Sequence, residues 1–208
     1  MSRSSGKMNR KAYSLIEVLV SQAILGVCLL GIAALAKAGT RYLLVTNAKT
    51  DLQRDAILTL RGISQQFQET NDGSFTVGNS LADPNGSVNY GVVFGSPRDP
   101  KTGHVDYDSV GRLLWCKYVC YYKRDINGPC IVRAVAKLDP KLPYPPPVNA
   151  LDDFLRVDYG FTLVARNVTQ FECSKDSANL SVLLRVELPS NYGKNYGFLV
   201  QTQVFARN

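Results

Sequence analysis

The sequence predicts an α+β fold in which one long N-terminal helix packs on an antiparallel β-sheet. Two observations predict the helix: the chain is almost wholly apolar over 15–36, and an amphipathic stripe continues that run towards residue 70. The third observation is that strand-like segments separated by turn residues fill the remainder. We therefore expect a basic leader over 1–12, a membrane helix over 13–36, its amphipathic continuation over 37–70 and a β-rich globular domain over 71–208.

The apolar run is long enough to cross a membrane. From Leu15 to Ala36 it has 22 residues, with Glu17 as its one charged side chain, and about 20 residues suffice for a membrane-spanning helix. A secretory signal peptide is one alternative, because Ala34-Leu35-Ala36 is a small-x-small cleavage signal, but the run is long for that purpose. A plain signal anchor is another, although it has no use for a carboxylate near the start of the span.

The charge pattern orients this segment. Of the 24 basic residues, Arg3, Lys7, Arg10 and Lys11 lie within the first twelve positions, which contain no acid. A basic leader before an apolar run stays on the cytoplasmic side of the membrane. The formal net charge is +7, yet the rest of the chain shows no basic stripe. We therefore expect no direct contact with nucleic acid.

Hydrophobic residues beyond the apolar run recur at spacings of three or four, which is typical of a helix with one apolar face. Asn71-Asp72-Gly73 then provides a stop signal. We expect the stripe to pack on the sheet rather than to bind a cofactor. Its members are Tyr42, Val45, Ala48, Leu52, Ala56, Leu60, Ile63 and Phe67.

The globular part is predicted to consist of strands and loops. Asn127-Gly128 is a hairpin signal, and the proline-rich segment over 139–148 is predicted to be a solvated loop that links two parts of the domain. The predicted strands cover 88–94, 111–123, 130–138, 161–164, 168–174, 180–188 and 198–206.

The residues at the start of the apolar run carry a specific signature. The segment Arg10-Lys11-Ala12-Tyr13-Ser14-Leu15-Ile16-Glu17 resembles the N-terminus of type IV pilins and type II secretion pseudopilins. That family has a basic leader, a small residue, an aromatic residue and a glutamate at the fifth mature position. The resemblance implies that a prepilin peptidase cleaves between Ala12 and Tyr13, that Tyr13 is N-methylated, and that Glu17 acts in subunit assembly. The family usually has glycine and phenylalanine at the junction; Ala12 keeps the small side chain and Tyr13 keeps the ring.

The chemistry of Glu17 supports this interpretation independently. An ionised carboxylate in hydrocarbon is costly unless it has a partner. The new N-terminal amine of a neighbouring subunit would neutralise Glu17 and fix the axial register between subunits. The alternative is that Glu17 lies at the level of the lipid headgroups and has no such role.

The resemblance also implies a fold and a function. It implies a pilin-like domain and a structural subunit of a type IV pilus or type II secretion filament, which acts in assembly or initiation at the filament tip. The J-type minor pseudopilins and the PilW-type minor pilins are the most similar types. Loose features carry that finer likeness: Leu52-Gln53-Arg54-Asp55, Gly111-Arg112-Leu113, Val168-Thr169-Gln170-Phe171 and Phe205-Ala206-Arg207-Asn208.

Partners and location follow from the same resemblance. The expected partners are other pilin or pseudopilin subunits, the prepilin peptidase, an inner-membrane assembly platform and the lipid bilayer. The chain is expected to cross the inner (cytoplasmic) membrane once, with its C-terminal domain periplasmic or extracellular. The alternative from another functional class is a single-pass, membrane-anchored periplasmic binding module.

Four cysteines lie in the globular part, at Cys116, Cys120, Cys130 and Cys173, and they predict two disulfides in an oxidising compartment. Cys116 and Cys120 lie about 13 Å apart if their strand is extended, whereas a disulfide needs Cα atoms within about 7 Å. We therefore expect Cys116 and Cys120 each to pair with Cys130 or Cys173. We favour Cys120–Cys130, which closes a short loop around Asn127-Gly128 and requires that loop to exceed two residues, with Cys116–Cys173. Zinc bound by the four thiolates is the alternative.

The sequence contains no recognisable catalytic set. His104 is the only histidine and lies in a glycine-containing loop, where a solvated side chain is the usual outcome. Asp152, Asp153 and Asp158 lack the alternating pattern of a calcium loop. No nucleophile elbow or phosphate loop is present. We therefore expect no enzymatic activity, no cofactor and no bound metal.

Overall fold

The computed structural model describes residues 14–78, 91–145, 160–177, 179–188 and 196–206. Within these residues the chain forms a 53-residue helix, α1 (Leu15–Phe67), followed by a short 3-10 turn and eight strands. The predicted α+β class is confirmed, because a long N-terminal helix packs against antiparallel sheets. The chain divides into two compact units, 1–47 and 48–208.

The strands form two antiparallel sheets. The larger sheet has five strands in sequential order: β1 (Phe75–Gly78), β2 (Gly91–Ser96), β3 (Trp115–Asp125), β4 (Pro129–Leu142) and β5 (Phe161–Arg166). The smaller sheet has three: β6 (Val168–Asp176), β7 (Asn179–Glu187) and β8 (Gly197–Phe205). Sequential antiparallel neighbours need only short connections, which agrees with the turn residues between the predicted strands.

The first unit is helical from Leu15, and its apolar side chains are almost all exposed. Leu15, Val27 and Leu35 each expose more than 70% of their surface. By length and composition, α1 is the one helix of the described residues that is able to cross a membrane. Exposed leucine, isoleucine and valine side chains are stable in such a helix when lipid or other apolar helices surround it.

In the second unit, the later turns of α1 complete the core. Ala56, Ile63 and Phe67 have no exposed surface, and Ala48 packs against the same cluster. The predicted stripe is therefore confirmed from Ala48 onwards. It is wrong for Tyr42, which is 71% exposed, because helical periodicity continues past the point at which packing on a sheet begins.

Aromatic rings lock the end of α1 onto the larger sheet. The Phe67 ring meets Phe75 edge-on at 4.7 Å and Phe94 edge-on at 5.8 Å between ring centroids. The Tyr121 hydroxyl on β3 donates to Gln66 Oε1 at 3.1 Å, and the Thr70 hydroxyl donates to the Gly95 carbonyl at 2.7 Å. These contacts fix where the helix meets the sheet.

Strand β3 is buried on both faces. Val119 and Tyr121 face the core that contains α1, whereas Tyr118, Cys120 and Tyr122 belong to a second buried cluster. A strand covered on both sides reads as a continuous apolar run rather than an alternating one. This explains the density of tyrosine, valine and cysteine over 115–122.

Two predicted boundaries are corrected. Strand β4 extends through Pro140 to Leu142 rather than ending at 138. This is tolerated because Pro140 has no partner on β5 within the described residues, where β5 pairs with residues 130–134, and falls where the β3–β4 register is interrupted between Lys137 and Leu142. The residues before 115 form two small turns instead of strand: Arg98 pairs with Val105, and Tyr107 pairs with Leu113, as isolated bridges.

Candidate functional site

The expected assembly site lies at the first turn of α1. Ala12 and Tyr13, the predicted cleavage junction, lie outside the described residues. Glu17 lies inside them, exposed, in the first turn of the helix. A carboxylate at this position also interacts favourably with the positive end of the helix dipole.

Glu17 has a partner within its own chain. Its Oε2 atom accepts a hydrogen bond from the backbone N–H of Ser14 at 3.2 Å, and the Ser14 hydroxyl accepts one from the Ile16 N–H at 3.4 Å. The Glu17–Ser14 bond is the glutamate half of an S-x-x-E capping box, while the Ser14 hydroxyl caps Ile16 rather than Glu17; together they satisfy backbone donors that the helix start leaves free. The signal for this cap is the S-x-x-E spacing of Ser14-Leu15-Ile16-Glu17, which was not among the predicted features.

The capping role changes how Glu17 is interpreted. The alternative interpretation gives Glu17 no role at the level of the lipid headgroups. The contact with Ser14 shows that the carboxylate has a role there too, because it helps to start the helix. One oxygen of the carboxylate accepts from Ser14, and a carboxylate has about four acceptor sites. Capping therefore leaves the carboxylate able to bind an amine from another chain as well.

The four cysteines of the globular part are free thiols in the structure, so neither predicted disulfide is present. The pairing of Cys120 with Cys130 is wrong because of strand register: Cys120 lies opposite Ala134, and Cys130 lies opposite Arg124. Four residues of offset correspond to about 13 Å along the strands, well beyond the reach of a disulfide.

Cys116 and Cys173 lie in different surroundings. The Cys116 thiol donates to the Leu114 carbonyl at 3.3 Å, whereas Cys173 lies on β6 opposite Val182 and packs against the core that contains α1. Burial raises the pKa of all four thiols, at Cys116, Cys120, Cys130 and Cys173. They are therefore protonated at neutral pH and poor nucleophiles.

A polar cluster holds the loop between β2 and β3. Arg98 Nε donates to Glu69 at 3.0 Å, which ties the loop to the residues just after α1. Lys141 bridges Asp99, at 3.1 Å, and Asp106. Backbone N–H groups of Lys101 and Thr102, together with the Lys141 ammonium, lower the pKa of Asp99 to about 2. Partners 29 to 42 residues apart leave no local pattern, so sequence periodicity gave no signal for this cluster.

The described residues contain no group of three or more His, Cys, Asp or Glu side chains arranged to hold a metal ion. The His104 side chain is exposed in the loop between β2 and β3. Asp152, Asp153 and Asp158 lie outside the described residues.

Two of the cavities that the described residues line lie on the globular unit. One, of about 260 Å³, lies beside the β3–β4 hairpin and is lined by residues that include Asn127, Cys130, Phe161 and Arg166. The other, of about 170 Å³, includes Lys49, whose ammonium lies 3.4 Å from the centre of the Tyr196 ring. Neither lining combines a nucleophile with a general base, so neither has the arrangement of a covalent-catalysis site.

The site that the described residues support best is therefore the start of α1: a capped helix that begins at Leu15, carries Glu17 in its first turn and continues into a largely apolar, exposed surface. Comparison of the chain with protein-family models, with curated proteins and with solved structures found no match.

Proposed function

We propose that the chain is a minor pilin-like subunit that a prepilin peptidase processes between Ala12 and Tyr13 and that then assembles into a type IV pilus or type II secretion filament. The observation that carries the proposal is the order of chemical features at the N-terminus: basic leader, small residue, aromatic residue, and one carboxylate at the fifth position of an otherwise apolar helix. Each feature has a use in this function, and no other hypothesis uses all of them.

The structure supports the proposal in two ways. An exposed apolar helical surface requires lipid or neighbouring helices around it, and a filament of such helices supplies both before and after assembly. The later turns of α1 are built into the core of the globular unit. The globular unit is thus joined to the proposed assembly segment by the same continuous helix.

The proposed action of Glu17 is electrostatic. After cleavage, Tyr13 carries a charged α-amine in an apolar environment. The Glu17 carboxylate of one subunit pairs with the amine of its neighbour, so neither charge is left alone in hydrocarbon. The distance between the Glu17 carboxylate and the neighbouring Tyr13 amine sets the axial offset between subunits. We further propose that the chain resembles the J or PilW type in acting at the tip of the filament and in its initiation, with the domain periplasmic or extracellular.

A fractionation experiment tests this function. In native cells, the chain should be recovered with sheared filaments, or cross-linked to other pilin-like subunits when the filament stays in the periplasm. Deleting the assembly ATPase should lower that filament-associated signal at least tenfold, while the amount of the chain in the membrane fraction stays unchanged. A membrane-anchored binding module would instead remain in the membrane fraction in both strains, and that outcome would refute the proposal.

A further inference from the structure

Strand β8 is an edge of the three-stranded sheet, and within the part of the chain that the structure describes it lacks the usual protection. Among the described residues it pairs only with β7. Its nine residues, Gly197-Phe-Leu-Val-Gln-Thr-Gln-Val-Phe205, include no charge and no proline. Natural proteins protect long edge strands with lysine, proline, bulges or inward charges, because unpaired backbone groups otherwise recruit another strand.

The other edge of the same sheet shows the contrast. Strand β6 also has nine residues, and Glu172, Lys175 and Asp176 give it three charges. Its register is also interrupted by a bulge near Val168. The two edges therefore differ in the features that prevent pairing, and β8 is the one left suitable for it.

The side chains of β8 alternate as expected for a strand with one buried face. Val204 is buried, and Phe198 and Val200 pack against the core. On the opposite face Leu199 is 58% exposed and Phe205 is 64% exposed, with the exposed Gln201 and Gln203 between them. The exposed face thus has an apolar group at each end and amides in the middle.

The sequence of this strand is symmetric about Thr202. Gln201 and Gln203 flank it, Val200 and Val204 follow, and Leu199 and Phe205 close the segment. In an antiparallel pair of two such strands centred on Thr202, glutamine lies opposite glutamine, valine opposite valine, and Leu199 opposite the apolar Phe205. Amide, β-branched and apolar–aromatic pairs of this kind stabilise antiparallel strands.

We propose that β8 is a self-association surface at which two copies of this chain pair their β8 strands antiparallel, about a two-fold axis at Thr202. The contact is isologous, so each copy supplies the same surface to the other. It joins the two three-stranded sheets into one sheet of six strands. The absence of charge from β8 fits a second copy, since no carboxylate or ammonium is brought opposite another.

This inference goes beyond the proposed function and does not rest on it. A pair of β8 strands requires only two copies of the globular unit and no filament. The full chain in detergent, without other subunits, is therefore the right material for its test. Failure of pairing there would leave the filament proposal untouched, and failure of the filament proposal would leave the pairing intact.

Cysteine mapping tests the register. The Cys28→Ser background removes the exposed native thiol. In it, a Gln201→Cys chain and a Gln203→Cys chain carry different tags. Each chain is oxidised alone, and the two are also oxidised as a mixture. The mixture should give at least fivefold more disulfide-linked dimer than either chain alone, because position 201 faces position 203 of the other copy. Position 201 of one copy is offset by two residues from position 201 of the other copy, which places their Cα atoms beyond the limit of about 7 Å for a disulfide. Thr202→Cys should cross-link with itself.

Charge tests the same contact without oxidation. The double variant Gln201→Lys and Gln203→Lys places ammonium groups opposite each other on exposed side chains, so the dimer should disappear from light scattering of the detergent complex. The control, Gln65→Lys with Gln68→Lys, adds the same charge at exposed positions of α1 and the residues after it and should leave the dimer. A wild-type chain that is still monomeric at a protein concentration of about 10⁻⁴ M would overturn the proposal. So would cross-linking that does not depend on register.

Discussion

Glu17→Gln is expected to lower the amount of the chain in filaments at least tenfold while the helix still starts at Leu15. Glutamine at this position keeps the capping box, because its side-chain oxygen also accepts from the Ser14 N–H. It removes the negative charge, however, and so leaves the amine of the neighbouring subunit unpaired in hydrocarbon. That loss is on the order of a few kcal/mol, and about 1.4 kcal/mol already corresponds to a factor of ten.

Two further variants separate capping from charge pairing. Ser14→Ala loses the hydroxyl that accepts from Ile16 but keeps the carboxylate, so it should assemble at close to the wild-type level. Glu17→Ala loses both roles and should assemble no better than Glu17→Gln. The measurement is the quantity of chain in the sheared or cross-linked fraction, divided by the quantity in the membrane. If Glu17→Gln assembles as the wild type does and Ser14→Ala fails, Glu17 is a helix cap and the pairing is wrong.

Phe67→Ala is expected to destabilise the globular unit by about 3–5 kcal/mol. The Phe67 ring has no exposed surface and packs edge-on against both Phe75 and Phe94. Alanine would leave a cavity between the end of α1 and the larger sheet. The nearby residues that position Phe67, Gln66 and Thr70, are themselves hydrogen-bonded to the sheet, which limits how far the cavity can collapse.

The measurement is thermal unfolding of the full chain in detergent, followed through Trp115, the single tryptophan and a buried residue of β3. The midpoint should fall by roughly 10 °C, at a few degrees per kcal/mol for a domain of this size. Leu58→Ala is the matched control, because Leu58 lies on the same helix but is 52% exposed, and its effect should stay within about 0.5 kcal/mol. Equal effects of the two variants would contradict the packing described for α1.

The extent of α1 was predictable because two independent patterns agree over its length. The apolar run over 15–36 and the spacing of Ala56, Ile63 and Phe67 each indicate a helix, and no proline interrupts it. Periodicity does not show at which residue packing on the sheet begins, and so the prediction placed Tyr42 in the packed stripe. Position in the stripe indicates a face, whereas burial depends on which elements cover that face.

The cysteine pairing was not predictable because it depends on strand register. Asn127 and Gly128 both have positive φ, as the Asn-Gly signal predicts, but the loop has three residues, since Asp125 lies opposite Pro129. The added residue moves the partner of Cys130 from Asp125 to Arg124, and neither loop length brings Cys130 opposite Cys120. The same limitation applies to Glu69 and Arg98, which meet only because the sheet brings β2 beside the end of α1.

The start of α1 shows a signal that was present and missed. Ser14 and Glu17 have the spacing of a capping box, and in the structure the Glu17 carboxylate accepts from the Ser14 N–H. The same glutamate is the fifth residue after the expected cut. Helix capping, together with the proposed pairing to a neighbour's amine, would account for a carboxylate inside an apolar span.

The mature N-terminus tests the central claim most directly. Mass spectrometry of the chain extracted from native membranes should find a first residue at Tyr13, with the twelve preceding residues removed and one methyl group on the α-amine. A first residue at Lys37 would show that a signal peptidase cuts after Ala34-Leu35-Ala36. A chain that keeps its basic leader in cells with an active prepilin peptidase would equally contradict the account.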